Sequence, residues 1–234
     1  LGVWLPLGGV AEYLSLEAAA GYLTGAYGAD EFRSRALTTY WELKSSLVRE
    51  PGLRRWIAIG DPRGYRLPGR QVTARIPGRN PAWVLAKECP DAGRMRVRMR
   101  QMNCTHVVYN LVVEGFPHRE SKPFEWDDRK LGLWIGFVGR HLEIVHPPLH
   151  LDYEHGGFCV YRLRKKPLDR PPGSLPYLPG IESLYYEITI NGLRGDAKGW
   201  LDESLKLHRR IPNVDQISDM VAQGYLMLGR FYKA

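Results

Sequence analysis

The stretch "RMRVRMRQM", Arg94 to Met102, places an arginine at every second position. Successive side chains of a β-strand point to opposite faces. On a strand, Arg94, Arg96, Arg98 and Arg100 share one face. Met95, Val97 and Met99 share the other, with Met102 following after a slip at Gln101. A helix would scatter the same guanidinium groups around its circumference, so the alternation reads as a strand. Same-face neighbours then lie about 7 Å apart and repel by about 0.6 kcal/mol in water. A wet face tolerates that repulsion, whereas burial without partners does not. The ladder therefore predicts a solvent-facing surface, a neighbouring row of carboxylates, or an anionic partner.

The surrounding sequence extends the same reading. Strands are predicted at "QVTARI" (71–76), "AWVLAKE" (82–88), "THVVYNLVVEG" (105–115), "LGLWIGFVG" (131–139), "HLEIV" (141–145), "LHLDYE" (149–154) and "FCVYRLR" (158–164). Pro-Gly, Asn-Pro, Asp-Ala-Gly and Gly-Gly turns separate several of them. Such spacing favours an antiparallel sandwich or barrel over a parallel sheet with crossover helices. The expected class is α+β: a helical N-terminal arm over residues 1–62 and an antiparallel β core over 63–166. A Pro-rich surface segment over 167–180 and a closing strand with C-terminal helices over 181–234 complete one globular unit.

Within the arm, Ser15 is a candidate N-cap for "SLEAAAGYLTGAY", and Asp30 caps "EFRSRALTTYWELKSSLVRE", whose apolar residues follow the helical period. "RRWIAIGDPRGY" (54–65) reads as a short strand and turn. Five prolines in "KKPLDRPPGSLPYLPG" preclude a packed central strand there. "SLYYEITI" (183–190) reads as the closing strand. Asp196 caps "AKGWLDESLKLH", and Asn213 with Gln216 forms a capping box for the last helix.

The chain has 234 residues and a net charge of +8, and arginine supplies 24 of its 33 basic residues. That balance favours polyanions: nucleic acid, anionic lipid or an acidic protein surface. Cys89, Cys104 and Cys159 form no Cys-x-x-Cys pair, which excludes a zinc ribbon and argues against a disulfide scaffold. A reducing compartment is expected. No apolar run is long enough to cross a bilayer as a helix. The sequence opens without methionine, which suits removal of an organelle-targeting segment and a mitochondrial matrix address.

One segment concentrates metal-binding chemistry. "HPPLHLDYEH" holds His146, His150, Asp152, Glu154 and His155. On a strand, His150 and Asp152 share a face. A His-x-Asp pair with a distant histidine, His208 or His106, is how non-haem iron sites assemble two imidazoles and a carboxylate. The plainer reading is a polar strand face, with Asp152 and Glu154 opposite the arginine ladder. Arg162, Arg164 and Lys166 form a second basic strand face, so cations exceed what the nearby acids can match.

Other chemistries are weaker. No phosphate-binding Gly-x-x-x-x-Gly-Lys loop and no Gly-x-Ser-x-Gly elbow occurs. Cys104 lies near His106, Asp127-Asp128 reads as a solvated turn, and His141 beside Glu143 reads as an outward strand face. "AAGYLTGAYG" (19–28) is similar in outline to the helix that names the LAGLIDADG homing endonucleases. Ala26 stands where those enzymes need a metal-holding carboxylate, and no second copy follows.

The expectation from sequence is a non-catalytic basic accessory or scaffold subunit, without cofactor, of an organellar ribosome or respiratory-type complex. Its anion-binding residues would be Arg94, Arg96, Arg98, Arg100, Arg162, Arg164 and Lys166, and its partners a protein or ribonucleoprotein assembly, with RNA or anionic lipid as the polyanion. One alternative is an enzyme holding Fe2+ or another divalent metal at His150, Asp152 and His208. The other is a free-standing RNA-binding protein.

Overall fold

The computed structural model describes residues 21–29, 31, 38–59, 67–72, 80–110, 126–147 and 158–229. Its centre is a single mixed sheet rather than an antiparallel sandwich or barrel. Five strands are ordered β2-β1-β3-β5-β4. They are β1 (Arg55–Ile59), β2 (Arg70–Val72), β3 (Cys104–Asn110), β4 (Leu142–His146) and β5 (Phe158–Leu163). β1 runs parallel to both β2 and β3, and β5 lies antiparallel between β3 and β4. Among the described residues β2 and β4 are the outermost strands, and the sheet does not close.

The antiparallel expectation fails because three segments read as strands are helices. The first, α2 (Pro81–Glu88), starts at an Asn-Pro pair that does more than turn the chain. Asn80 Oδ1 accepts the Ala82 N–H at 2.9 Å, and Pro81 occupies the first helical position, where its missing N–H costs nothing. Ala82, Leu85 and Ala86 form its buried stripe.

The second is the arginine stretch itself. It lies in α3 (Ala92–Gln101), capped by Asp91 Oδ1, which accepts the Arg94 N–H at 2.8 Å. Met95 and Met99, four apart, point into the core and are fully buried, while Val97 is 44% exposed. A strand would have put all three on one face. Asn103 then takes a left-handed φ of 56°, which a short polar side chain tolerates, and the chain enters β3.

The third is α4 (Asp128–His141), capped by Asp127. Leu131, Trp134, Val138 and His141 recur at helical spacing and are buried. Because α2 and α3 fill the connection from β2 to β3, β3 can lie parallel to β1, as a crossover connection permits.

"SLYYEITI" is not a strand either. It forms a 3-10 turn (Glu182–Tyr185) leading into α5 (Tyr186–Leu193). The arm's second helix is described as α1 (Thr38–Arg49), and the chain closes with α6 (Ala197–Arg210) and α7 (Asp215–Met227). Asp196 caps α6 as expected, accepting the Gly199 N–H at 2.8 Å. The Asn213 capping box does not form, since Val214 occupies the cap of α7 without a side-chain bond. Gly224 lets α7 approach α6 closely, because a Cβ there would stand 3.0 Å from the Leu201 backbone.

The two sheet faces are covered differently. Ile57, Ile59, Val107, Tyr109, Cys159 and Tyr161 enter a large core with α2, α3, α4 and the C-terminal elements. On the opposite face Trp56, Ala58, Val108 and Val160 meet Leu43 and Leu47 of α1 and Leu67.

The Pro-rich segment crosses the large core as a strap rather than lying wholly on the surface. Leu178 is fully buried, the Trp134 indole N–H donates to Pro179 O at 2.7 Å, and the Asn80 amide donates to Gly180 O at 2.6 Å. Leu175 makes a parallel bridge to Val214. The strand predicted at 149–154 lies outside the described residues, as do residues 73–76 of "QVTARI" and the helix start at Ser15.

Candidate functional site: a basic corner and a buried ion network

Because α3 is a helix, its four arginines do not form a ladder. At about 100° per residue, Arg96, Arg100, Val97, Arg94 and Arg98 follow one another around the side of α3 that faces away from Met95 and Met99. Arg94, Arg98 and Arg100 are exposed, and Arg96 is half-buried. Arg96 Nη2 donates to Arg164 O at 3.1 Å and also to Lys165 O, and Arg100 Nη2 reaches Lys165 O at 3.5 Å. From the other side, the end of α4 grips the same strap. Arg140 Nε donates to Leu168 O at 3.2 Å, and Leu168 N–H donates back to Arg140 O at 2.9 Å. Guanidinium groups from two helices therefore pin the backbone of residues 164–168, from which Lys165 and Lys166 project into solvent.

The corner is electrostatically congested. Burial and then the neighbouring Arg100 charge lower the affinity of Arg96 for its proton. His141 is buried, stacks on Phe137 with ring centroids 5.5 Å apart, and has a Nδ1 without a hydrogen-bond partner. Burial, Arg96 and Arg140 all push its pKa down, with only Asp91 opposing. His141 is thus the inward-facing last residue of α4, not part of an outward strand face.

Arg162 and Arg164 belong to a second arrangement, on the α1 side of the sheet. Arg162 Nε donates to Glu143 Oε1 at 2.8 Å, and its Nη1 to Glu50 Oε1 at 3.2 Å. Arg164 Nη1 donates to Glu143 Oε2 at 3.3 Å. His106, 1% exposed, completes the network, with Nε2 3.2 Å from Glu50 Oε1 and Nδ1 2.8 Å from Thr105 Oγ1. Burial lowers the His106 pKa. The Glu50 hydrogen bond and charge oppose that shift, and Arg162 adds to it. The Glu143 carboxylate, foremost among its neighbours, holds Arg162 more firmly protonated. These two arginines are therefore matched by the protein's own acids. Glu50, at the end of α1, and Glu143, one residue into β4, escape sequence reading because their partners come from strands distant in sequence.

The thiol–imidazole pair does not assemble. The β1–β3 register shifts between Arg55 and Trp56, whose partners are Cys104 and His106, so Thr105 is the extra residue. That irregularity sends Cys104 into the large core and His106 to the other face. Burial raises the Cys104 thiol to about 11. The paired carboxylates also have structural work. Asp127 caps α4 and pairs with Lys130, while Asp128 accepts Arg210 Nε at 2.7 Å.

Of the proposed metal ligands, His150 and Asp152 lie outside the described residues, and His208 sits half-buried near the end of α6. Among the described residues no three His, Cys, Asp or Glu side chains gather as a metal site would require. His146 Nε2 instead meets Ser46 Oγ at 3.1 Å. No helix among the described residues is long and apolar enough to cross a membrane. No protein-family model matches the chain, and neither a curated protein nor a solved structure matches it.

Proposed function

We propose that the chain is a non-catalytic basic accessory subunit, packing into a larger assembly of the organellar ribosome or respiratory type through the corner between α3, the strap and the end of α4. One observation supports this above the others. Arg94, Arg96, Arg98, Arg100, Arg140, Lys165, Lys166 and Arg170 outnumber Asp91 and Asp169, the acids of the same segments. Arg96 and Arg100, one turn apart on α3, both reach the Lys165 carbonyl.

Holding like charges together costs free energy unless an outside anion meets them, and an assembly with an acidic or phosphate-bearing surface supplies one. The pinned geometry lowers the ordering cost of such contact, since Arg96, Arg100 and Arg140 are already fixed on backbone carbonyls. Arg162 and Arg164 leave the candidate surface in this reading, because Glu50 and Glu143 engage them. Lys166 stays. The metal-enzyme reading gains no comparable support, for no described side chains converge with His208.

Gentle isolation of the tagged chain from its native source, followed by size separation, tests the proposal. Migration with a large particle at low salt and release at high salt is the expected result. Migration alone at every salt concentration overturns it. Recovery with RNA alone would point instead to a free-standing RNA-binding protein.

A further inference from the structure

We infer that the basic corner docks on a phosphate-rich lipid surface. This deepens the accessory-subunit reading and rests on it: the phosphate-bearing surface that the corner meets is the lipid of a membrane-seated assembly of the respiratory type. Three features select lipid headgroups from among the polyanions.

First, neither α3 nor residues 164–170 contains an aromatic residue. Single-stranded nucleic acid is ordinarily held on stacking aromatics as well as on cations, and the described residues of this corner supply no stacking platform.

Second, Val97 is 44% exposed and lies between Arg100 and Arg94 around α3. An apolar side chain ringed by cations suits the headgroup boundary, where apolar atoms enter the acyl region and guanidinium groups stay among phosphates. A nucleic-acid backbone rewards only the cations.

Third, Lys165, Lys166 and Pro167 are three consecutive exposed residues. They lie beside Arg100 and Arg140, whose bonds to Lys165 O and Leu168 O hold them next to this exposed turn. Cations clustered in this way beside a basic amphipathic helix are what an anionic headgroup layer attracts.

Arg210 marks the opposite pole. It bonds Asp128 at the start of α4, about 20 Å along the helix from Arg140.

Co-sedimentation with vesicles tests the inference. The full chain is mixed with phosphatidylcholine vesicles with and without phosphatidylserine, at low and high salt. Binding is expected only to the anionic vesicles and is lost at high salt. A basic side chain near an anionic surface gives about a fivefold gain in partitioning, so Lys165→Gln with Lys166→Gln lowers binding about twenty-five-fold. Both side chains are exposed, and circular dichroism verifies that the fold is retained. Val97→Asp is a second, independent variant expected to weaken binding, while Arg209→Gln at the opposite pole leaves it unchanged.

Failure to bind anionic vesicles, equal binding of the double variant, or duplex RNA binding in place of vesicle binding overturns the inference. A chain that travels with a large particle yet ignores vesicles refutes the lipid inference alone. A chain that binds vesicles but travels without a particle refutes the accessory-subunit reading alone.

Discussion

Replacing Met99 by alanine and Val97 by lysine, in separate variants, distinguishes a helix from a strand at residues 94–102. Met99 is fully buried beside Met95 in the large core. Truncating it to alanine removes its buried apolar surface and leaves a void, a change that costs about 2–5 kcal/mol. Val97 is 44% exposed on the far side of α3. Lysine there slightly improves helix propensity but adds a cation three residues from both Arg94 and Arg100, so the net cost stays below about 1 kcal/mol. For a chain of this size 1 kcal/mol corresponds to about 2–4 °C in Tm. A loss of about 3 kcal/mol at Met99 therefore lowers Tm by about 6–12 °C, against less than about 4 °C for Val97→Lys. Urea unfolding followed by tryptophan fluorescence gives the free energies, and a thermal scan gives Tm. On a strand Val97 would share the buried face with Met95 and Met99. A Val97→Lys cost as large as that of Met99→Ala would refute the helical assignment and the cationic corner built on it.

Three further outcomes follow from the buried groups. Glu50→Gln weakens the carboxylate that joins His106 to Arg162 and costs about 1–3 kcal/mol. Combining it with Arg162→Ala costs less than the sum of the two, because they share one network. Urea unfolding of the single and double variants reads the difference, and strict additivity refutes the network. His106 and His141 both have depressed folded pKa values with burial as the leading cause, so the unfolded chain binds their protons first. Stability therefore falls as pH drops below about 6.5, the ordinary histidine value, and levels off once the folded-state pKa values are passed. Unfolding free energies measured at pH 7.5 and pH 5 check this, and a flat profile in that window contradicts it. Cys89, Cys104 and Cys159 are buried and free, with Cys104 raised to about 11 and Cys159 to about 12. Ellman's reagent should label these three only as fast as the chain unfolds, and rapid labelling of the native protein would contradict their burial.

The arginine stretch shows why part of this fold is hidden in the sequence. A pattern that alternates every two residues also repeats every four, close to one helical turn. Met95 and Met99 satisfy both periods, and only the residue between them, Val97, separates the two. The decisive signal is the cap: Asp91 three residues before Arg94. The same holds at Asn80-Pro81 and at Asp127, where a turn and a solvated acid pair disguise two helix starts. Misreading α2 and α3 as strands removes the crossover, so the parallel pairing of β1 with β3 is invisible from sequence. In "SLYYEITI", β-branched and aromatic residues favour a strand locally, and packing of Tyr185 and Ile188 into the core overrides them. β4 and β5 are legible, because their apolar runs are short and bounded, and the strand expected at 105–115 is present as β3 as far as Asn110, its last described residue. At the candidate site, the excess of arginine is legible, but its division is not. Which guanidinium groups meet carboxylates depends on Glu50 and Glu143, brought in from α1 and β4.

The two outermost described strands bear on how this protein joins anything else. Among the described residues β2 has only three, and the pairing of β4 with β5 slips between Ile144 and His146. A short margin and a kinked margin make poor templates for a foreign strand. Among the described residues, backbone-to-backbone zippering with a neighbour is therefore discouraged at both ends of the sheet, which suits the proposed recognition through side chains on helices and on the strap. Attachment of that kind would be governed by ionic strength and released without disturbing the sheet.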